Sequence, residues 1–125
     1  MDTLLGPLER AVMDVMWRRG ECTVRDVHDE MVQSRSIAYT TVMTTMARLA
    51  TKGMLSRDTR GLAHRYRPAV SRDHHARRTV AGVLTWLFDE YPEPAAAYLV
   101  DVVDDVDDVT LQELRDAVAR RRREE

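Results

Sequence analysis

Hydrophobic residues recur at intervals of three and four along three short segments in the first half of the chain. This period is typical of an α-helix with one apolar side, so it predicts helices over Leu8–Arg19, from Thr23 onward, and over Ile37–Lys52. Pro7 and Gly20 bound the first helix, because proline suits the first turn of a helix and glycine suits the residue after its end. The apolar sides of these helices are expected to face a hydrophobic core.

The third predicted helix combines an apolar side with a surface that carries no acidic residue. The predicted apolar side consists of Tyr39, Val42, Met43, Met46, Leu49 and Ala50. The remaining surface consists of Thr40, Thr41, Thr44, Thr45, Arg48, Thr51 and Lys52. Threonine is a mediocre helix former, so helix propensity does not explain five threonines in one helix. We therefore expect this surface to have a binding role.

After Gly53 the pattern changes from a helical period to two short extended segments. Met54–Asp58 and Ala63–Arg67 are predicted to pair as a hairpin, with Gly61 in the turn and Pro68 ending the second strand. Three short helices followed by a basic hairpin are the outline of a winged helix-turn-helix domain. We assign this domain to residues 1–70.

The second half of the chain is predicted to be helical and to form a dimer. Pro92 and Pro94 interrupt its apolar stripes, and Thr110 with Glu113 has the pattern of a capping box that opens a last helix. Short helices in so few residues bury too little surface to form a core alone, so they are expected to pack against a second copy. The predicted interface residues are Val80, Val83, Leu84, Leu87, Phe88, Tyr91, Leu99, Val102, Val103, Val106 and Leu114. The predicted fold class is thus mainly α with a small β-hairpin wing, and a helical dimerisation domain at residues 71–125.

Composition excludes several classes of protein. The 125 residues are 44% hydrophobic and 32% charged, which is unlike collagen-like or wholly disordered chains. No apolar run approaches the length of a membrane span, and Met1–Leu5 does not resemble a signal peptide, so we expect a cytoplasmic protein without membrane insertion. A single cysteine, Cys22, excludes an intramolecular disulfide and a multi-cysteine metal site. Its position beside a helix start leaves a redox role open, although an inert thiol is favoured.

The net charge of -2 hides a division between the two halves of the chain. Residues 1–78 carry 14 Lys and Arg against 9 Asp and Glu, whereas residues 79–125 carry 5 against 12. Within Met31–Arg72 there are 8 basic residues and one acid, Asp58. This pattern favours a polyanionic partner for the first half, although an unevenly charged surface remains the alternative.

The basic block and the acid-free helix together predict double-stranded DNA as a partner. Threonine side chains suit phosphates and base edges, and Arg48 is long enough to reach the O6 and N7 atoms of guanine in the major groove. The wing residues Arg57, Arg60, Arg65 and Arg67 are expected to contact phosphates or the minor groove, although some of them will point elsewhere because residues alternate across a strand. A protein-interaction adaptor with this fold but without specific DNA binding is the alternative. No catalytic constellation stands out, so we predict no enzyme activity, no cofactor and no metal site.

Four sequence segments resemble the penicillinase-repressor and methicillin-resistance-repressor family, the BlaI/MecI type. Tyr39–Gly53 (YTTVMTTMARLATKG) resembles the recognition helix of that family. Leu8–Met13 followed by Trp17 resembles its first helix, Thr23–Val27 its second, and His64–Tyr66 its second wing strand. The resemblance is strong through Arg67 and weaker in the C-terminal helices.

The resemblance implies a homodimeric repressor whose winged helices bind inverted-repeat operators with TACA/TGTA half-sites. By position it implies groove contacts by Thr40, Thr41, Thr44 and Arg48, and phosphate contacts by Lys52 and the wing arginines. In the best-known members a membrane sensor for β-lactams triggers proteolysis at an Asn-Phe bond in the dimerisation helices. The resemblance thus implies a membrane sensor protease as a further partner. The nearest counterpart of that bond here is Asp101-Val102, which differs from it in both residues.

Overall fold

The computed structural model describes residues 4–124 and divides into two compact units, one ending at Gly82 and the other beginning at Val83. Six helices and three strands follow one another along these residues. They are α1 (Pro7–Arg19), β1 (Cys22–Thr23), α2 (Val24–Met31), α3 (Tyr39–Thr51), β2 (Leu55–Asp58), β3 (Arg65–Pro68), α4 (Arg72–Glu90), α5 (Pro92–Asp105) and α6 (Asp108–Glu124). The predicted fold class, mainly helical with a small β-hairpin wing, is confirmed. The functional division at residue 70 stays a prediction.

Local side-chain hydrogen bonds explain where the first two helices begin. The backbone amide of Gly6 donates to Glu9 Oε1 at 3.1 Å, at the start of α1. Before α2, the Thr23 hydroxyl accepts from the amide of Asp26 at 3.1 Å, and the Asp26 carboxylate accepts from the amide of Thr23 at 2.9 Å. This reciprocal capping box satisfies two amides that lack partners within the helix. Hydrogen bonding of the Asp26 carboxylate to the backbone amide of Thr23, and to a smaller extent to the Thr23 side chain, lowers the pKa of Asp26.

The three strands form one antiparallel sheet in the order β1-β3-β2. The hairpin aligns Leu55 with Pro68 and Arg57 with Tyr66, while Cys22 of β1 aligns with Tyr66 from the other side. The hairpin was predicted from its alternating pattern. The third strand was not, because two residues are too short to show an alternation.

One hydrophobic core fills the first unit between the three helices and the sheet. Its fully buried side chains include Val12, Met13, Met16, Cys22, Val27, Val42, Met46 and Leu49. Tyr66 and Leu55 close the core from the sheet side. The predicted apolar side of α3 was partly wrong, because Tyr39 and Met43 are each 43% exposed. Both lie at the edge of the helix that faces the wing rather than at the centre of its buried side.

Within the first unit, the residues just before α4 and its first residue, Arg72, contact α1. Trp17 Nε1 donates to the carbonyl oxygen of Val70 at 3.0 Å, and the Arg72 guanidinium lies 4.9 Å from the centroid of the Trp17 ring. Arg72 also pairs with Asp14 at 3.2 Å. These contacts tie the chain after the wing to the helix at the start of the domain.

The second unit consists of the end of α4, α5 and α6, and none of its described residues is buried. Apolar side chains line a groove of about 580 Å³ between α4 and α5 and another of about 700 Å³ between α5 and α6. The predicted start of the last helix at Thr110 was wrong. That helix begins at Asp108, because the Asp107 carboxylate accepts from the amide of Thr110 at 2.7 Å and caps it one turn earlier. Within residues 4–124, no helix has the length and hydropathy needed to cross a membrane.

Candidate nucleic-acid interface

The exposed side of α3 presents hydroxyl groups and one arginine without any neighbouring acid on the same helix. Thr40, Thr41, Thr44 and Arg48 are exposed and line a shallow depression of about 310 Å³, together with Leu8 of α1 and the buried Thr45. These residues recur three and four apart, so they form one continuous stripe along the helix. The structure therefore brings together the four residues that the sequence assigned to groove contacts.

Thr45 is placed differently from the other predicted contact residues. Its side chain belongs to the buried part of α3, and only 5% of the residue is exposed. Its hydroxyl donates to the carbonyl oxygen of Thr41 at 2.8 Å, which satisfies the buried oxygen within the helix. Position 45 lies on the side of the helix between Val42 and Leu49, both of which belong to the core. The geometry thus leaves Thr45 outside the exposed stripe.

Lys52 follows α3 and is held by an ion pair with α1. Its Nζ lies 2.8 and 3.0 Å from the two carboxylate oxygens of Glu9. This hydrogen-bonded pair lowers the pKa of Glu9, and the nearby charge of Arg48 contributes in the same direction. The pair joins the end of α3 to the start of α1, so part of the Lys52 charge is already compensated within the protein.

The start of α3 is positioned by α2 through a histidine. His28 Nε2 lies 2.9 Å from the carbonyl oxygen of Ile37 and donates a hydrogen bond to it, because a carbonyl oxygen can only accept. The His28 ring also meets the Tyr39 ring edge to face, with centroids 5.7 Å apart. These contacts orient the helix that carries the exposed threonines.

The predicted wing arginines fall on two faces of the hairpin. Side chains alternate across a strand, and the register places Arg57 opposite Tyr66, on the face that turns toward α3. Arg65 is opposite Asp58 on the other face, where Arg67 also lies. All three arginines are exposed. Of these three arginines, Arg57 is the one on the face of the hairpin that is directed toward α3.

Arg60, in the turn of the wing, is paired with the acid that interrupts the basic block. Its Nε and Nη2 atoms each lie 3.0 Å from an oxygen of Asp58, and its backbone amide donates to the same carboxylate at 3.0 Å. These bonds hold the pKa of Asp58 at about 2, so the carboxylate stays charged at physiological pH. The sequence predicted that Arg60 contacts DNA, but its ion pair with Asp58 was not predicted.

A groove of about 520 Å³ separates α3 from the wing. Its helix side includes Tyr39, Met43 and Ala47 of α3 and Val24 and Arg25 of α2. Arg57, Leu62 and Tyr66 are among the wing residues that line it. The groove was not predicted, because sequence periodicity alone does not show how far apart a helix and a hairpin lie.

Cys22 lies in β1 with its side chain fully buried. Burial raises the pKa of the thiol, because it disfavours the charged thiolate. A redox sensor needs an accessible thiol with a lowered pKa, so this geometry opposes the redox alternative.

Comparison with protein families matches the penicillinase repressor family over residues 5–120. The chain belongs to the penicillinase repressor family. The transcriptional regulator BlaI from Mycobacterium tuberculosis strains CDC 1551 / Oshkosh and ATCC 25618 / H37Rv is 48% identical to it over 83 residues. That match covers 66% of this chain and 57% of the relatives, so the chain spans a little over half of their length.

Among solved structures, the chain is similar to the solution structure of the DNA-binding domain of the repressor BlaI. The match covers 58% of this chain and 88% of that one, with a TM-score of 0.52 and 24% sequence identity. It confirms the winged-helix fold. The matched family is one of repressors and the matched relatives are transcriptional regulators, so the prediction that the protein is not an enzyme is confirmed.

Proposed function

We propose that this penicillinase repressor family member is a homodimeric repressor that binds an inverted-repeat operator and blocks transcription. The exposed, acid-free stripe of α3 carries the proposal, because it presents hydroxyls and a long cation on a helix of the size that enters a major groove. Thr40, Thr41, Thr44 and Arg48 are the proposed groove contacts. Arg57, Arg60 and Arg65 are the proposed phosphate contacts of the wing, and such a protein acts in the cytoplasm, where its operator lies.

The exposed apolar residues of the C-terminal helices support the dimer. None of the predicted interface residues is buried in the single chain, including Val80 near the end of the first unit. Val80, Leu84, Phe88, Tyr91, Leu99, Val102 and Leu114 are exposed, while Val83, Leu87, Val103 and Val106 are half-buried. Exposed apolar surface of this extent is typical of an interaction site, and a second copy offers the complementary surface under twofold symmetry.

A membrane sensor protease that acts on the C-terminal helices is a further proposed partner. Asp101 and Val102 lie within α5, and both are exposed. Cleavage between them requires local unfolding of α5, because their backbone amides are held in the helix. The family resemblance and this exposure support the proposal.

Binding measured by gel shift tests the proposed function. The full chain is titrated against a duplex with a TACA/TGTA inverted repeat and against a scrambled duplex of equal length. We expect saturable binding to the inverted repeat that is at least tenfold tighter, about 1.4 kcal/mol, and that weakens steeply with salt. Equal affinity for the two duplexes would contradict a repressor and favour the adaptor.

Replacing Asp58 with asparagine is expected to strengthen DNA binding and to steepen its salt dependence. The variant keeps an oxygen for the Arg60 amide but removes the charge that holds the Arg60 guanidinium. One additional phosphate contact raises the slope of log affinity against log salt by about 0.9. Fluorescence anisotropy over a salt series measures this slope.

Asp73→Asn is the matched control for Asp58→Asn. It releases Arg77 from an exposed pair of 2.8 Å, but in α4 rather than in the wing. We expect its salt slope to equal that of the wild type. If Asp58→Asn also leaves the slope unchanged, Arg60 does not contact phosphate.

A further inference from the structure

Met43 is an exposed hydrophobic residue at the edge of α3 that faces the wing, next to the stripe of hydroxyls and one cation. It is 43% exposed and lines the groove between α3 and the wing. Thr40 precedes it by three residues and Ala47 follows it by four, so all three share one strip of the helix surface. The strip is continuous with the stripe of Thr44 and Arg48.

Packing within the first unit does not account for this side chain. Val42 and Met46, on either side of it in sequence, are completely buried and supply the contact of α3 with the core. Leu62 of the wing lies across the groove but is itself fully exposed, so it does not cover Met43. The exposed part of the Met43 side chain is therefore available to an apolar partner outside the chain.

A major groove offers one apolar group to such a side chain. Phosphates and the donors and acceptors of base edges find hydrogen-bonding partners in threonine and arginine but not in a methionine side chain. The 5-methyl group of thymine is the apolar substituent at the floor of the groove, and small or flexible apolar side chains contact it. Ala47, one turn from Met43, leaves room for the base edge to approach the helix.

We propose that Met43, with Ala47 beside it, contacts the 5-methyl group of one thymine in each operator half-site. This inference rests on the proposed function and adds to it a residue that determines sequence preference. Arg57, across the groove from Met43, is placed for the phosphate backbone that flanks the same base. Met43 thus supplies specificity, and the wing supplies affinity that is independent of sequence.

The test replaces each thymine of the TACA/TGTA half-site in turn by deoxyuridine, which removes the 5-methyl group and leaves base pairing intact. Substitution is made symmetrically in both half-sites, and the full chain is titrated by fluorescence anisotropy. For the thymine that Met43 contacts, we expect about a fourfold loss of affinity per half-site, as for one buried methyl group. The two half-sites together are then expected to lose about 15-fold.

Two variants of Met43 assign the effect to this residue. Met43→Gln keeps the length of the side chain but makes it polar, and it is expected to bind the thymine and deoxyuridine duplexes equally well. Met43→Leu keeps the side chain apolar and is expected to retain the preference for thymine. Val32→Ala, at a residue that is 44% exposed outside α3, is the control and is expected to behave as the wild type. Thermal unfolding verifies that all three variants fold.

Each outcome bears on the inference. The inference is supported if Met43→Gln loses the preference for thymine while Met43→Leu and Val32→Ala retain it. The inference is overturned if no deoxyuridine substitution weakens wild-type binding, or if Met43→Gln retains the wild-type preference for thymine. In both cases discrimination between operator and scrambled DNA remains, so the proposed function stands. If the wild type does not discriminate between these two duplexes, the proposed function fails and this inference fails with it.

Discussion

Replacing Arg48 with alanine is expected to weaken operator binding about 5- to 150-fold, which corresponds to about 1–3 kcal/mol. Arg48 lies at the end of the exposed stripe of α3, one turn beyond Thr44, and lines the same depression as Thr40 and Thr41. A guanidinium in this position can donate two hydrogen bonds to the O6 and N7 atoms of one guanine. Alanine removes both and leaves those acceptors without a protein partner.

The salt dependence of Arg48→Ala distinguishes a base contact from a phosphate contact. If Arg48 contacts a base, the affinity for the operator falls while the affinity for scrambled DNA and the salt slope stay nearly constant. If it contacts a phosphate, both affinities fall together and the slope decreases by about 0.9. Arg18→Ala is the control, because Arg18 is equally long and exposed but lies at the end of α1, paired with Glu30. Unchanged operator affinity in Arg48→Ala would contradict its assignment to the groove.

Replacing Leu87 with aspartate is expected to dissociate the dimer and to weaken operator binding about 10²- to 10⁴-fold. Leu87 is half-buried in α4 and lines the apolar groove between α4 and α5 with Leu84 and Tyr91. If a second copy fills this groove, the new carboxylate loses its hydration without gaining a partner. Operator binding falls because a dimer holds the second winged helix near the second half-site, and a monomer does not.

Sedimentation velocity at micromolar concentration measures whether the protein is a dimer. Binding to single half-sites separates the loss of dimerisation in Leu87→Asp from any loss of DNA binding by the individual subunit. The first unit has its own core, so the variant is expected to bind a single half-site as well as a wild-type subunit does. Thr85→Asp places the same charge on α4 outside the residues that line the groove, and it is expected to remain dimeric. A wild-type protein that sediments as a folded monomer would contradict the dimer.

Elements whose causes are local could be predicted from the sequence. Apolar residues three and four apart, bounded by Pro7 and Gly20, predicted α1 to within one residue of Pro7–Arg19. The change of period after Gly53 predicted the hairpin, because alternation and turn residues act over a few positions. The acid-free surface of α3 was likewise visible as composition, before any tertiary contact was known.

Which side chains of α3 face outward, and whether Lys52 is paired, depend on contacts between elements that are distant in the sequence. Periodicity describes a helix as having two sides, whereas the width of the buried side depends on what packs against it. Contacts with the core buried Thr45, and the separation of the wing from α3 left Tyr39 and Met43 exposed. Glu9 and Lys52 are 43 residues apart, so no local pattern pairs them. Helix stripes and pairs such as Asp58 with Arg60 are set by neighbours in sequence, but exposure and the pairing of Glu9 with Lys52 are set by elements that meet only when the chain folds.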